Sequence, residues 1–110
     1  MSNGDKRPEL FGFFHEETFT TAREAADARG RMTEFAVRWN YRLTKIYTEK
    51  AGEEPQAFEA LRAAVKRDGA AVVVPSGAHL APYGSVADLV KELEQASGVP
   101  VLCSEPVEAQ

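Results

Sequence analysis

The chain has 110 residues, of which 44% are hydrophobic and 27% charged, as in an ordinary globular protein. This length suits one domain with a single core and excludes two. The formal net charge of −4 disfavours DNA binding by the chain alone, because affinity for phosphate comes mainly from Lys and Arg.

The two ends of the sequence are polar and lack periodicity. We therefore predict flexible termini at 1–8 and 105–110 around one folded domain at 9–104. Neither a secretory signal nor the ~20-residue apolar run of a membrane span is evident. The single cysteine, Cys103, cannot form an internal disulfide. We expect a cytoplasmic protein without membrane contacts, in which Cys103 is a small buried strand residue.

The first half of the domain predicts a strand, a helix and a second strand. Leu10–Phe14 is nearly all apolar, which is typical of a buried strand. Thr21 and Glu24 have the spacing of a capping box, and a helix should follow them. Arg42–Thr48 alternates polar and apolar residues, which predicts a strand at a sheet edge. The helix should bury one stripe of residues at three- and four-residue spacing: Ala25, Ala28, Met32, Phe35, Ala36 and Trp39.

The second half repeats this alternation. After a loop at 52–55, a helix with Phe58 in its core stripe should end at Gly69. Ala70–Val74 is apolar on both faces, as a central parallel strand requires. After a loop at 75–84, a third helix should begin at the Ser85 cap and end at Gly98, and Val99–Cys103 predicts a fourth strand.

The resulting order is βαβαβαβ. Helical connections between successive strands give parallel pairing with right-handed crossovers. The fold class is therefore α/β, in three layers: a mostly parallel four-stranded sheet with helices on both faces. We expect the flavodoxin-like strand order 2-1-3-4.

Ligands of open parallel sheets bind beyond the carboxyl ends of the strands. The first and third strands should place there six polar residues: His15, Glu16, Glu17, Thr18, Ser76 and His79. Glu49 and Lys50 follow the second strand. These residues are ordinary polar loop residues, or they form a new site. His15 and His79 with Glu16 or Glu17 suit a zinc-like ion or acid–base catalysis, although no HExxH spacing is present.

The segment from Arg23 to Lys50 contains seven basic and four acidic residues, a local charge of +3. It is either a solvated face or a contact surface for an acidic partner. The candidate basic residues are Arg29, Arg31, Arg38, Arg42 and Lys45. The sequence contains no GxGxxG after the first strand, no GxxxxGK[ST] and no GxSxG, so we expect no cofactor and assign no metal ligands.

With this layout, the chain resembles the N-terminal catalytic domain of serine recombinases, the resolvase and invertase family. That family begins with a strand reading approximately Tyr-x-Arg-x-Ser-Thr, whose serine attacks DNA, and later has a Val-rich strand followed by Leu-Asp-Arg-Leu-x-Arg. Residues 12–18 (GFFHEET) and 72–82 (VVVPSGAHLAP) lie at the positions of these two motifs. The resemblance spans about residues 9–103.

The residues at the catalytic positions differ from those of the family. The serine position falls on Glu17 and the preceding arginine on His15. In the second motif the aspartate falls on Ala78, its neighbouring arginine on His79, and the later arginine on or beside Pro82. Strand exchange needs a nucleophilic hydroxyl and several arginines to neutralise phosphate charge. The resemblance therefore implies a recombinase-like domain without recombinase activity.

Three hypotheses follow. The first is a non-catalytic protein-interaction or regulatory module, with a protein partner or a homodimer. The second is an enzyme, or a small-molecule or metal-binding protein, with a new site at the carboxyl ends of strands 1 and 3. The third is an accessory DNA-associated protein that uses the basic residues beside another protein.

Overall fold

A computed structural model describes residues 7–16, 21–50 and 56–104 of the chain. Among these residues, no helix is long and apolar enough to cross a membrane. Strands and helices alternate in this order: β1 (Glu9–His15), α1 (Ala22–Arg38), β2 (Arg42–Glu49), α2 (Gln56–Asp68), β3 (Ala71–Val74), α3 (Val86–Ser97) and β4 (Leu102–Cys103).

The four strands form one sheet in the order β2-β1-β3-β4, and every neighbouring pair is parallel. The predicted fold class and strand order are therefore confirmed. β1 lies in the middle, paired with β2 on one side and β3 on the other. This arrangement brings the carboxyl ends of β1, β2 and β3 to one edge of the sheet.

Helices cover both faces of the sheet. On one face α1 packs against Leu10, Phe14 and Val73. The other face carries the larger core, in which α2 and α3 cover the side chains of Phe11, Phe13 and their neighbours. Adjacent residues of a strand point to opposite faces, and helices cover both faces of this sheet, which explains why β3 and the interior of β1 are apolar.

Gly12 allows α1 to lie close to β1. A Cβ at this position would lie 2.8 Å from Met32 Sδ and 3.1 Å from Ile46 Cγ1. A side chain here would require the flexible Met32 side chain to shift and would crowd Ile46.

The helix ends follow the predicted caps. Thr21 Oγ1 accepts a hydrogen bond from the Glu24 N–H, and Ser85 Oγ accepts one from the Asp88 N–H. Gly98, with φ of +81°, ends α3 in the left-handed conformation that glycine adopts without steric cost.

Several sequence predictions are wrong in detail. β4 covers only Leu102–Cys103 rather than 99–103, and Cys103 is exposed because it lies on the outermost strand. Trp39 is not a core residue: it follows the last residue of α1, beyond the buried positions of its stripe, and is 62% exposed. The predicted loop at 75–84 contains two short 3₁₀ turns, Gly77–His79 and Ala81–Tyr83. The loop predicted at 52–55 lies outside the described residues.

Candidate functional site: a closed carboxyl edge

Three buried polar side chains meet at the carboxyl edge of the sheet. His15 and Glu49 are the last residues of β1 and β2 and are paired in register. His79 lies in the 3₁₀ turn after β3. Their exposed fractions are 7%, 2% and 2%. Buried polar groups of this kind need partners, because an unpaired one costs about 1–3 kcal/mol.

The two histidines are joined by a hydrogen bond. The backbone N–H of His15 donates to Nδ1 of His79 over 3.0 Å. A nitrogen that accepts a hydrogen bond carries no proton, so the imidazole of His79 is neutral with its proton on Nε2. Burial, and then the neighbouring His15, lower the pKa of His79 to about 4. At neutral pH this side chain supplies no positive charge.

Glu49 is also engaged within the domain. Its Oε1 accepts hydrogen bonds from the backbone N–H of Phe58 and from the hydroxyl of Tyr83, each over 3.1 Å. Phe58 lies in the first turn of α2, where unpaired N–H groups and the helix dipole favour a negative charge. The carboxylate therefore occupies a position that suits an anionic ligand such as phosphate.

Aromatic rings cover these polar groups on the side of α2. The rings of Phe58 and Tyr83 are stacked, with centroids 4.2 Å apart and planes 9° from parallel. Tyr83 also lies against the His15 ring at 5.8 Å and the Phe13 ring at 5.9 Å. The ring of Tyr83 thus contacts both the core and the polar edge.

The guanidinium of Arg29 reaches the same edge from the side of α1. The guanidinium of Arg29 lies 5.0 Å from the centre of the Phe14 ring, and its Nη2 donates to Thr48 Oγ1 over 3.5 Å. Arg29 is an exposed residue of α1. Its contacts with Phe14 and Thr48 place its guanidinium near the carboxyl ends of β1 and β2.

The candidate basic residues do not form one continuous surface. Lys45 Nζ lies 4.6 Å from the centre of the Tyr47 ring, on the face that α2 covers. Arg31 and Arg38 line a cleft on α1 near its carboxyl end. Arg42 is half-buried at the start of β2. These candidate basic residues therefore do not form the single basic stripe with which proteins bind the phosphate backbone of DNA.

The other predicted site residues have different positions. Glu16 follows β1 and is half-buried, and Ser76 begins the 3₁₀ turn without a capping hydrogen bond from its side chain. Glu17 and Thr18 lie outside the described residues. Within the described part of the chain, no group of three His, Cys, Asp or Glu side chains is placed to hold a metal ion.

The sequence reasoning placed Glu49 at this edge but assigned it no role, and it missed Tyr83. A signal for Glu49 was present, since it follows a predicted strand and precedes a predicted helix by a few residues. Tyr83 carried no comparable signal, because its position depends on the two 3₁₀ turns that the sequence pattern did not predict.

Comparison with solved structures gives a match over most of the chain. The match is to the C-terminal catalytic domain of ISC1926 TnpA, an IS607-like serine recombinase, with a TM-score of 0.71. It covers 92% of this chain and 72% of the other, at 12% sequence identity. The fold is that of a serine recombinase catalytic domain. No protein-family model matches the sequence, and no curated protein does either.

At 12% identity the similarity to the serine recombinase domain establishes the fold alone. The chemistry has to be argued from the residues of this chain. Four positions that the family resemblance makes catalytic are described: His15, Ala78, His79 and the position on or beside Pro82. None supplies a permanent positive charge, and His79 is neutral and hydrogen-bonded to the backbone. The recombinase-like fold is therefore combined with a carboxyl edge at which His79 and Glu49 accept hydrogen bonds from within the domain.

Proposed function

We propose that this chain is a non-catalytic domain of serine recombinase fold that acts as a protein-interaction or regulatory module. The observation that carries the proposal is the internal pairing at the carboxyl edge of the sheet. His79 accepts from the His15 backbone, and Glu49 accepts from Phe58 and Tyr83. These groups hold the domain together and leave little to bind a phosphate.

Charge supports the same conclusion. Cleavage of DNA by a hydroxyl produces a transition state with negative charge spread over phosphate oxygens, which cations must neutralise. At this edge the structure places the carboxylates of Glu49 and Glu16, a neutral imidazole at His79 and the cations of Arg29 and Lys50. A buried carboxylate repels the phosphate that the reaction requires. The family resemblance also puts Glu17 at the position of the nucleophile.

We therefore expect the purified protein to leave supercoiled plasmid DNA intact. The measurement follows nicked circles on agarose gels and protein–DNA adducts trapped with detergent, over a range of protein and Mg²⁺ concentrations. The variant Glu17→Ser, which restores the hydroxyl, should also be inactive, because His15 and His79 stand where the resemblance implies arginines.

Nicking by the parent protein that is abolished in Thr18→Val or Ser76→Ala would contradict the proposal, since it would assign a nucleophilic hydroxyl to the domain. Parallel preparations of these two variants are the matched controls. Nicking that persists equally in both and in a mock purification comes from a contaminating nuclease, and the parent is then inactive as proposed.

A further inference from the structure

A buried histidine side chain closes the end of β1. His79 is the last residue of the 3₁₀ turn Gly77–His79, and it is 2% exposed. Its Nδ1 accepts the hydrogen bond of the His15 backbone N–H over 3.0 Å, and its ring lies edge-on to Phe14 with the centroids 6.5 Å apart. The turn after β3 therefore supplies the acceptor for the last N–H of β1 through a side chain that can titrate.

Protonation of the ring is incompatible with this contact. An imidazolium carries a proton on both nitrogens, so Nδ1 of His79 would become a donor that faces the N–H donor of His15. The hydrogen bond would be lost, and a cation would be left in a site that water does not reach. Burial, and then the neighbouring His15, accordingly lower the pKa of His79 from its ordinary value of 6.5 to about 4.

Charged and titratable groups reach this edge from several elements. His15 lies nearest to His79 and repels a proton added to that ring. Glu49 is held by α2 and by the second 3₁₀ turn, through the hydrogen bonds that its Oε1 accepts. The groups at this edge are His15 and Glu16 from β1 and the residue after it, Arg29 from α1, Glu49 and Lys50 from β2 and the residue after it, and Tyr83 from the second turn.

A small movement of its own turn would take His79 into water. Ser76 and Gly77 are half-buried and Ala78 is exposed, so the turn lies at the surface. Two backbone hydrogen bonds close it, from the His79 N–H to the Ser76 carbonyl and from the Leu80 N–H to the Gly77 carbonyl. Leu80 is fully buried and holds the chain in the core directly after the turn. Residues 76–79 can therefore move while the rest of the domain stays folded.

We infer that His79 is an acid-sensitive switch at the carboxyl edge of the sheet. Proton uptake at Nδ1 breaks the hydrogen bond with His15, and the imidazolium moves into water while Leu80 stays in the core. The His15 N–H and the edge of the Phe14 ring are then exposed. This device goes beyond the proposed function, because it makes access to the end of β1 depend on pH.

The pH range of the switch follows from proton linkage. The pKa of His79 in the closed edge lies below the ordinary value of 6.5, so the open edge binds the proton more tightly. The closed edge therefore has its full stability above pH 6.5 and loses it as the pH falls towards 4. Between these values the ratio of open to closed molecules should rise by almost tenfold per pH unit, or about 300-fold in all.

Hydrogen exchange of the His15 amide, followed by NMR from pH 7.5 to 3.5, measures this opening. Its protection is compared with that of an unstructured chain at the same pH and with the slowest amides of β1 and β3, which report global unfolding. In the parent we expect the His15 protection to fall by about 300-fold relative to those amides. In His79→Asn, whose Oδ1 is an acceptor that does not titrate, the relative protection should not change with pH. Glu49→Gln should keep the parent's pH dependence.

Constant protection in the parent would overturn the inference, and so would an equal fall in His79→Asn. A pH dependence that disappears in Glu49→Gln would also overturn it, because the carboxylate would then be the titrating group. A fall shared by the reference amides would contradict a local switch. If His79→Asn does not fold, the parent decides: its loss of protection must level off at the pH at which the His79 ring nitrogens become protonated, and a mismatch would overturn the inference.

Discussion

Phe13→Ala is expected to lower the free energy of unfolding by about 3–5 kcal/mol, the cost of emptying a large aromatic site in a core. Phe13 is fully buried in the middle of β1. Its ring makes edge contacts with Phe58 at 5.5 Å and with Tyr83 at 5.9 Å. Removing it leaves a cavity between the sheet, α2 and the turn that carries Tyr83. Urea unfolding followed by circular dichroism measures the loss.

The matched control is Trp39→Ala, which removes a larger aromatic side chain from the surface. Since Trp39 is mostly exposed, we expect this change to cost less than about 1 kcal/mol. Domains of this size have about 5–15 kcal/mol of stability, so Phe13→Ala should approach the limit of folding at 37 °C while Trp39→Ala does not. Equal losses in the two variants would show that the described core is wrong.

Glu49→Ala is expected to cost about 2–3 kcal/mol, because it leaves the Phe58 N–H without an acceptor and Tyr83 without its partner. Glu49→Gln keeps an oxygen at the same position and loses only the charge beside the first turn of α2. We expect it to cost about 1 kcal/mol. Thermal or urea unfolding of the three proteins at one pH gives both differences.

The same pair of variants tests whether the Glu49 carboxylate occupies an anion position. In Glu49→Ala, inorganic phosphate should raise the melting temperature by more than it does in the parent, with chloride at matched ionic strength as the reference. In Glu49→Gln the amide still fills the space, and the phosphate effect should equal that of the parent. Identical phosphate effects in all three proteins would contradict this role for Glu49.

Most of the fold was predictable because its signals are local. The run Ala71–Val74 is apolar on both faces, which favours a central parallel strand, and β3 is central. Thr21 and Ser85 fix the starts of two helices through their own hydroxyls. Three helices connect the four strands, and each connection between parallel strands is right-handed. This rule allows only a few strand orders.

The burial of Trp39 and Cys103 was mispredicted because the apolar pattern of the sequence extends beyond the end of α1 and to the edge of the sheet. Trp39 fits the apolar spacing of α1, but the helix ends one residue before it and its side chain is 62% exposed. Cys103 lies in an apolar run, yet β4 has a neighbour on one side only, so its outer edge stays exposed. Burial at both positions depends on the extent of the layers, which periodicity does not encode.

The site was predictable in location and not in chemistry. Parallel strands bring His15 and His79 to one edge whatever their role, and the sequence alone left them open as metal ligands, acid–base groups or ordinary loop residues. The distinction depends on the hydrogen bond between the His15 N–H and His79 Nδ1. It also depends on Tyr83 and on the acceptor role of Glu49, which require the backbone path of the turns after β3.

The central claim is that His79 and Glu49 at the carboxyl edge are hydrogen-bonded within the domain, and the imidazole nitrogens of His79 report this most directly. Nitrogen-15 NMR of the uniformly labelled protein, recorded from pH 7.5 to 3.5, measures the protonation and tautomer of that ring. We expect a neutral Nε2–H imidazole whose Nδ1 accepts a hydrogen bond and which takes up a proton only near pH 4. A ring that titrates near pH 6.5 and exchanges between tautomers would contradict the claim, because His79 would then be free to bind a ligand.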